Sequence, residues 1–449
     1  MSEQGVQKQV ELLHKTLCLE RIRDIAKETK FFCRESKLTP EVFFDLLFYA
    51  SSLSQHSSLD KLVNHLKSEY EIDISKQSLD ERFTEKTVAF VKRVLEDIIR
   101  EQIPATLYGD NFLPEFRHVR IKDSTRFNVP SNLAKKYEGS GGSASKAGIS
   151  IQYEFDLKTG KFLDLNITSA NRNDQIDAKE TAKNVCEDDI LIRDLGYFST
   201  QVLGSFAEKG AFFLSRLHSS ITVYDENGYE IDFEKCLTNM KSLAVEKFEM
   251  QVFPGKEKLP VRLYIGLVPQ SVYAERLRRK QQAEKKRGSQ MKEKTKLLLN
   301  FNLFITNADK ENLPLEKIMP LYSFRWQAEL MFKNWKSIFA LHSLPKMKEE
   351  RYTTMLYVRL ILIIVNVQFA NNLQSMLYKQ EKDAILSDNK VLQTLKNNCL
   401  TILNILCCKT QKAVECLMKL YKTLSKNHWR EKRKNGENFI ENILLFICT

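Results

Sequence analysis

One stretch of the sequence reads Leu321-Tyr322-Ser323-Phe324-Arg325-Trp326-Gln327-Ala328-Glu329-Leu330-Met331-Phe332-Lys333-Asn334-Trp335-Lys336. Its polar residues at positions i, i+3, i+7 and i+14 share one face of an α-helix, and they are Tyr322, Arg325, Glu329 and Lys336. A second stripe is apolar and consists of Phe324, Ala328, Met331, Trp335 and Ile338. The spacing predicts a helix after Pro320 that buries one stripe and presents the other. An ordinary amphipathic helix with a solvated charged side would show the same spacing.

Two aspartates each directly follow a strand signal. Asp123 stands in Ile121-Lys122-Asp123-Ser124-Thr125, and Asp194 stands in Ile192-Arg193-Asp194-Leu195-Gly196. Carboxylates at the ends of neighbouring strands could share divalent ions, and Mg²⁺ prefers oxygen ligands. A single aspartate in such a place is more often a turn former. The pair is therefore a candidate metal site that needs a third element.

The remaining patterns give the coarse organisation of the chain. Strands are predicted at 118–122, 190–193, 211–217, 248–253, 261–268 and 297–306, a hairpin joins 150–156 to 161–168, and a helix covers 174–185. Helical patterns fill residues 1–105 and the chain after Pro320. The Gly-rich segment 139–148 lacks the spacing of a phosphate-binding loop and is predicted to be a connection. The sequence thus indicates an α/β fold with helical regions at both ends.

Taken together, these residues resemble a known family. The set Tyr322-x2-Arg325-x3-Glu329-x6-Lys336 is similar to the signature of the DDE transposases of bacterial insertion sequences in the IS-four family. Asp123 in Asp-Ser-Thr and Asp194 in Asp-Leu-Gly-Tyr-Phe resemble that family's two catalytic aspartates. The resemblance covers roughly residues 110–345, and the order strand–Asp, strand–Asp, β-rich insertion, helix–Glu is similar too.

The resemblance implies a ribonuclease-H-like catalytic core in which Asp123, Asp194 and Glu329 are the catalytic residues and metal ligands. They would hold two Mg²⁺ ions, with Mn²⁺ as a substitute. Such ions activate an attacking water or 3′-hydroxyl and stabilise the leaving 3′-oxygen. The family also implies double-stranded DNA as partner, both transposon ends and target, and a homodimer when DNA is bound.

DNA-end phosphates are the implied ligands of Tyr322, Arg325 and Lys336, and Lys333 and Trp326 are expected to bind DNA beside them. Arg can fork onto phosphate oxygens, while Lys acts as a point charge. Some family members form a DNA hairpin and trap a flipped base on an aromatic side chain. No Trp occurs between residues 219 and 305, so Phe253 and Tyr264 are open alternatives for that platform.

Five regions are expected along the chain. Residues 1–105 form a helical N-terminal region that is a candidate for DNA binding. Residues 106–218 and 306–375 form the two parts of the core, and the second part carries the Glu helix. Residues 219–305 form a β-rich insertion with a basic helical excursion. Residues 376–449 form C-terminal helices that either dimerise, contact DNA or pack onto the core.

The net charge is +12, from 69 Lys or Arg against 57 Asp or Glu. Such an excess predicts an anionic partner, and nucleic acid is the first candidate. Residues 275–296 hold ten basic and three acidic residues, and residues 396–449 hold ten and four. Each segment, including Trp429–Lys434, is either a solvated surface or a contact with the DNA backbone.

The composition also indicates the cellular compartment in which the protein acts. The nine cysteines form no CxxC pair, which argues against a disulfide framework or a zinc site. The N-terminus lacks the apolar segment of a signal peptide. The apolar run from Met355 to Ala370 contains Arg359, Asn366 and Gln368, so a buried helix is favoured over a membrane span. The expected protein is soluble, has no membrane partner, and is cytoplasmic and nucleoid-associated in a bacterium.

The predicted function is that of a DNA transposase, which binds the terminal inverted repeats of its insertion sequence and performs two-metal-ion cleavage and strand transfer. Three alternatives stay open, of which the first two are a transposase-derived DNA-binding protein without catalysis and a metal-dependent nuclease of the same fold that cuts but does not join. A purely helical scaffold, in which the three acidic residues never meet, is a third.

Overall fold

The structure of the 449-residue chain is a computed structural model. It describes residues 3–53, 58–102, 104–105, 107–108, 111–141, 146–255, 259–380, 385–398 and 410–429. The predicted basic segment at 430–434 and the rest of the predicted C-terminal helices after 429 lie outside the described residues.

The described elements form a mixed α/β protein. The helices are α1 (Glu3–Leu17), α2 (Leu19–Glu28), α3 (Pro40–Ser52), α4 (Leu59–Tyr70), α5 (Lys76–Glu81), α6 (Glu85–Arg100), α7 (Asp174–Thr181), α8 (Thr200–Ala207), α9 (Phe233–Ser242), α10 (Gln270–Arg287), α11 (Glu293–Leu298), α12 (Leu315–Ser323), α13 (Arg325–Ser337), α14 (Glu349–Gln380), α15 (Asp388–Asn397) and α16 (Thr410–Asn427). The strands are β1 (Val119–Asn128), β2 (Gly148–Asp156), β3 (Lys161–Ser169), β4 (Ile190–Arg193), β5 (Phe212–Arg216), β6 (Val223–Tyr224), β7 (Lys247–Pro254), β8 (Val261–Leu267) and β9 (Phe301–Thr306).

The chain divides into two units, each assembled from separate segments. Among the described residues, the first unit comprises 3–112, 124–172 and 327–429. The second comprises 113–123 and 173–326. The division passes through β1 after Asp123 and through α13 after Trp326, so both elements contribute residues to both units.

The first unit is built around the long helix α14. Helices α3 and α6 pack along α14, and α1 packs against α16. Helix α14 contains the apolar run 355–370 and confirms the predicted buried helix. It is long and apolar enough to cross a membrane, but 89 % of the relevant window is buried inside the protein, as in the core helix of a soluble protein.

Helix α16 shows how the C-terminal region packs where it is described. Its apolar residues Ala413, Val414, Leu417, Tyr421 and Leu424 are buried. The Tyr421 hydroxyl lies within hydrogen-bond distance of two acceptors, Gln9 Oε1 at 2.7 Å and the Phe369 carbonyl at 3.1 Å. The sequence left dimerisation, DNA contact and core packing open for this helix. Its apolar face is observed to pack within its own unit.

The predicted hairpin is also present in the first unit. Strands β2 and β3 pair antiparallel, from Ile149↔Ser169 to Asp156↔Lys161. In the turn, the Asp156 carboxylate accepts from the Lys158 amide at 3.1 Å and from the Thr159 hydroxyl at 2.5 Å. Gly160 adopts a φ of +67°, which a residue without Cβ reaches most easily. An Asx turn followed by a left-handed glycine explains why this four-residue connection reverses the chain.

The second unit contains a sheet in the order β1-β4-β5-β9-β8-β7-β6. Strands β1, β4 and β5 are parallel, and β9, β8, β7 and β6 continue the sheet antiparallel. Every residue of the short strand β4 is buried, as expected for a central parallel strand. The predicted strands at 190–193, 211–217, 248–253 and 261–268 are confirmed.

Two segments differ from their prediction. The basic segment forms two helices, because α10 ends at Gly288 with a φ of +66°, and α11 then takes residues assigned to the last strand. Strand β9 consequently begins at Phe301. Helix α12 begins behind Pro314 rather than at Pro320, and the Phe324 amide bonds to the Leu321 carbonyl in a tighter turn. The predicted single helix is thus two consecutive helices, α12 and α13.

Candidate active site

Asp123 and Asp194 are brought together by the pairing of β1 with β4. The parallel register runs from Val119↔Ile190 to Lys122↔Arg193, so the two aspartates are the next residues along the two strands. Asp194 follows β4 directly, as predicted. The expectation that Asp123 ends its strand is wrong, because β1 continues to Asn128 after it has passed the end of β4.

Buried ion pairs fix the part of β1 that precedes Asp123. Lys122 Nζ lies 2.7 Å from Asp177 Oδ2 on α7, and Arg120 Nη1 lies 2.7 Å from Asp189 Oδ2. All four side chains are at most 4 % exposed. Because side chains alternate along a strand, Asp123 points to the opposite face from Lys122. The buried pairs therefore set the side of the sheet on which Asp123 stands.

Arg325, the first residue of α13, faces both aspartates. Its Nη1 lies 3.7 Å from Asp123 Oδ2, and its Nε lies 3.9 Å from Asp194 Oδ1. Asp123 and Arg325 are largely buried, at 14 % and 17 % exposure, whereas Asp194 is 47 % exposed. Two carboxylates thus converge on one positive charge at an edge that solvent can reach.

This donor set fits a divalent cation. Carboxylate oxygens are hard ligands, and the two aspartates already neutralise a cationic group held between them. No group of three or more His, Cys, Asp or Glu side chains suited to a metal occurs among the residues that the structure describes. Within their own unit, Asp123 and Asp194 therefore make a two-carboxylate site.

Tyr322 lies beside Arg325 at the end of α12. Its ring is 7 % exposed, packs 4.8 Å from the Phe304 ring, and has the Arg216 guanidinium 6.0 Å from its centre. Burial raises the pKa of its hydroxyl to about 12, and the charges of Arg325 and Arg216 oppose that shift. The hydroxyl is consequently a neutral hydrogen-bond donor at physiological pH.

Helix α13 carries the remaining predicted residues. Glu329 follows Arg325 by one helical turn and is half-buried, Lys333 is exposed, and the Trp326 side chain is 50 % exposed. Lys336 Nζ donates to the Arg126 carbonyl at 3.3 Å, and partial burial lowers the pKa of this lysine. The predicted apolar stripe of α13 is buried, with Met331 half-buried.

Aromatic packing anchors α13 in the first unit. Trp335 is fully buried, and its ring lies 5.5 Å from Tyr153, 6.0 Å from Phe162 and 5.3 Å from Phe332. Tyr153 and Phe162 belong to the β2–β3 hairpin. The position of the helix that carries Glu329 and Lys336 is thus set by apolar contacts with that hairpin.

Two arginines near the site were missed from the sequence. Arg216 ends strand β5, and Arg276 on α10 donates to the Phe301 carbonyl at 3.0 Å and to Asn302 Oδ1 at 2.7 Å. Both line a cavity of about 490 Å³ in the second unit, together with Leu195, Phe233, Phe301, Arg279, Lys280 and Lys294. Two features of the sequence could have indicated them: Arg216 lies near the end of a predicted strand, and Arg276 belongs to the basic excursion of the insertion.

Of the two alternative aromatic platforms, Tyr264 lies in the core. It is 4 % exposed, and its hydroxyl is 3.2 Å from Met319 Sδ. A Cβ on Gly266 would stand 2.7 Å from that hydroxyl, which shows how closely the ring lies against β8. Phe253 is half-buried on β7. Tyr264 in this position cannot stack on an incoming base.

Known proteins are similar to this chain over a range that includes the residues of the candidate site. The model of one family, described as "Transposase DDE domain", matches residues 114–365, more than half of the chain. The chain is 29 % identical over 440 residues to the transposase for insertion sequence element IS231E of Bacillus thuringiensis subsp. finitimus, covering 94 % of this chain and 92 % of that one. It is 28 % identical over 450 residues to the IS231B transposase of Bacillus thuringiensis subsp. berliner, covering 96 % and 94 %.

A transposase from another genus matches over a shorter length. The chain is 28 % identical over 366 residues to the transposase for insertion sequence element IS1151 of Clostridium perfringens, covering 78 % and 77 %. The segment matched by the family model contains Asp123, Asp194 and the signature from Tyr322 to Lys336. The chain therefore belongs to the DDE transposases of insertion sequences, the IS-four-like enzymes of DNA transposition.

Proposed function

We propose that this transposase binds the terminal inverted repeats of its own insertion sequence and performs metal-dependent DNA cleavage and strand transfer with Asp123, Asp194 and Glu329. The observation that carries the proposal is the convergence of the two aspartates on Arg325 at 3.7 and 3.9 Å. A pair of carboxylates around one cation, placed by neighbouring parallel strands, is suited to hold metal ions for phosphoryl transfer.

The proposed core is ribonuclease-H-like. Its support is the strand order around β1, which is β3-β2-β1 in the first unit and β1-β4-β5 in the second. The parallel pairing of β1 with β4 and of β4 with β5 is consistent with it, as is the β2–β3 hairpin. The proposed regions keep the limits 1–105, 106–218, 219–305, 306–375 and 376–449, with DNA binding assigned to the first.

The proposed cofactor is a pair of Mg²⁺ ions, which Mn²⁺ can replace. Asp123 and Asp194 would supply ligands from β1 and β4, and Glu329 would supply the third from α13. When bound, such ions lower the pKa of an attacking water or 3′-hydroxyl and stabilise the leaving 3′-oxygen. Arg325, which lies between the two aspartates, would bind a DNA phosphate through its guanidinium.

The other signature residues would hold the DNA end. Lys336 and the exposed Lys333 offer ammonium groups to phosphates, and Tyr322 offers a neutral hydroxyl. Trp326, half exposed beside Arg325, offers an aromatic face on which a base can stack. The cationic cavity at Arg216 and Arg276 lies next to Tyr322 in the same unit and would offer further cations to DNA phosphates.

The partners in this proposal are double-stranded DNA, as transposon ends and as target, and a second copy of the chain when DNA is bound. The protein would act in the bacterial cytoplasm at the nucleoid. Because the apolar face of α16 is covered within its own unit, the dimer would use another surface.

The first prediction tests the site directly. Wild-type protein should nick a duplex that carries the terminal repeat of its element, with Mg²⁺ or Mn²⁺ and not with Ca²⁺ or EDTA. Asp123→Ala, Asp194→Ala and Glu329→Ala should each lose nearly all nicking, because each removes a proposed metal ligand. Glu226→Ala is the matched control, since Glu226 is an exposed acidic residue of the insertion.

Nicking at the wild-type rate by any of the three variants would exclude that residue as a ligand. A strand-transfer assay with pre-cleaved ends then separates a transposase from a nuclease that only cuts. Salt-sensitive DNA binding with no metal-dependent cleavage by wild-type protein would contradict the proposed chemistry and leave only DNA binding.

A further inference from the structure

The carboxyl end of α13 is held by two cations from other helices of the same unit. Arg359 Nη1 on α14 donates to the Ala340 carbonyl at 2.5 Å, and Lys396 Nζ on α15 donates to the Ile338 carbonyl at 2.5 Å. Both carbonyls lie within three residues of the end of the helix. They belong to the turn that follows Ser337, the last residue of α13, so the two cations hold this turn through its backbone acceptors.

Arg359 is unusual for its burial. It is 3 % exposed, and burial lowers the pKa of its guanidinium to about 10. Among the residues that the structure describes, no carboxylate forms an ion pair with Arg359. Its guanidinium donates to the Ala340 carbonyl. A buried cation is costly, so its placement at one helix end requires a reason beyond packing.

The turn that receives these bonds is itself constrained. Ala340 adopts a φ of +51°, which is unfavourable for a residue with a Cβ and persists only where its surroundings hold it. The Ala340 carbonyl also accepts from the amide and hydroxyl of Ser343, each at 3.0 Å. The Leu341 amide bonds back to the Trp335 carbonyl at 3.2 Å. The end of α13 is therefore fixed in one conformation.

We infer that Arg359, assisted by Lys396, is a positioning residue for the reaction and sets the axial position of Lys336 and Glu329 along α13. The inference rests on the proposed role of these two residues in cleavage. Lys336 lies two residues before Ile338, and a helix transmits a displacement of its end along its axis. A misplacement of about 1 Å at the reacting groups can cost about 100-fold in rate.

The test compares Arg359→Met, Arg359→Lys and Lys396→Met with Gln368→Met. Gln368 is a matched control, because it is a buried polar residue of α14, 4 % exposed, and the substitution keeps its volume. Each variant is assayed for nicking of the terminal-repeat duplex at saturating DNA, over a Mn²⁺ titration, together with its Kd for the duplex and its Tm.

Arg359→Met should lower the maximal nicking rate about 10- to 100-fold and raise the Mn²⁺ concentration for half-maximal rate, while its Kd for DNA stays within about twofold. Arg359→Lys should restore part of the rate, and Lys396→Met should show a smaller loss. Gln368→Met should keep the wild-type rate even where its Tm falls equally.

An unchanged rate and metal titration in Arg359→Met would overturn the inference, as would an equal loss in Gln368→Met. If Arg359→Met does not fold, Arg359→Lys and Lys396→Met decide, and wild-type behaviour of both would overturn it. Failure of the proposed function is a different outcome, because the wild-type protein itself would then not nick the duplex.

Discussion

At the scale of single residues, burial rather than sequence spacing decides how a charged side chain behaves. Asp123, Asp194 and the signature residues could be named from their spacing, since a strand followed by Asp and a helical repeat are local patterns. The ion pairs of Lys122 with Asp177 and of Arg120 with Asp189 could not be predicted from the sequence, because they depend on which elements pack together. The same holds for Arg216 and Arg276, whose neighbours come from distant parts of the sequence.

Asp45 gives a prediction at this scale. Burial raises the pKa of its carboxyl to about 6, and the Tyr70 hydroxyl, 3.4 Å away, opposes the shift. The folded state therefore binds more protons than the unfolded state between about pH 4 and 6, and stability falls as pH rises through this window. Asp45→Asn should remove that dependence and add up to about 3 kcal/mol at pH 7. Urea unfolding of both proteins at pH 4.5, 5.5 and 7 checks this, and parallel pH curves would contradict it.

At the scale of elements, the sequence predicts strands well where turn residues flank them. It predicts the first and last residues of helices less well. The β2–β3 hairpin follows from its Asx turn and glycine, and β4 follows from a buried apolar run. The break between α12 and α13 was missed, because the periodicity of residues 321–336 continues across Phe324 although the backbone tightens there. Helix α9 was missed as well, although Asp232, whose carboxylate accepts from the Glu234 and Lys235 amides, is a capping signal.

Helix α13 carries a prediction at this scale, because it has two tryptophans in opposite environments. Trp335 is fully buried among aromatic rings, whereas Trp326 is 50 % exposed. Trp335→Ala should lower the free energy of unfolding by about 3–5 kcal/mol, because the substitution removes aromatic packing and leaves a cavity. Trp326→Ala should change it by less than about 0.5 kcal/mol and instead weaken DNA-end binding. Equal effects on stability would show that the helix is not anchored by Trp335.

At the scale of the whole molecule, the net charge of +12 is unevenly distributed. The segment 275–296 lies within α10, α11 and their connection. Helix α10 has no buried residue, so its basic side chains other than Arg276, which bonds to the Phe301 carbonyl, are available to a large anion. Within α10 some of that charge is already balanced, since Glu275 pairs with Arg278 and Arg279 at 2.9 and 2.6 Å. These pairs hold the pKa of Glu275 down at about 2, so they persist at every pH in which DNA binding can be measured. Three further cations, Lys285, Lys286 and Arg287, lie in the last turn of α10, whereas Arg279 and Lys280 line the cationic cavity.

Binding of DNA at this surface would release counterions, and the slope of log Kd against log salt measures how many. Neutralising the cavity-lining set Arg279→Gln, Lys280→Gln and Lys294→Gln should lower that slope by about 0.9 for each phosphate that is no longer neutralised, or about 2–3 in total. The Mg²⁺ concentration for half-maximal nicking should stay unchanged, because none of the three faces Asp123 or Asp194. The matched control replaces three exposed lysines elsewhere in the insertion, Lys235, Lys241 and Lys247, and removes the same charge. Two variants that remove equal charge should differ only if DNA binds at a defined surface. An equal decrease of the slope in the control would therefore show that DNA responds to the net charge of the insertion and does not bind along α10.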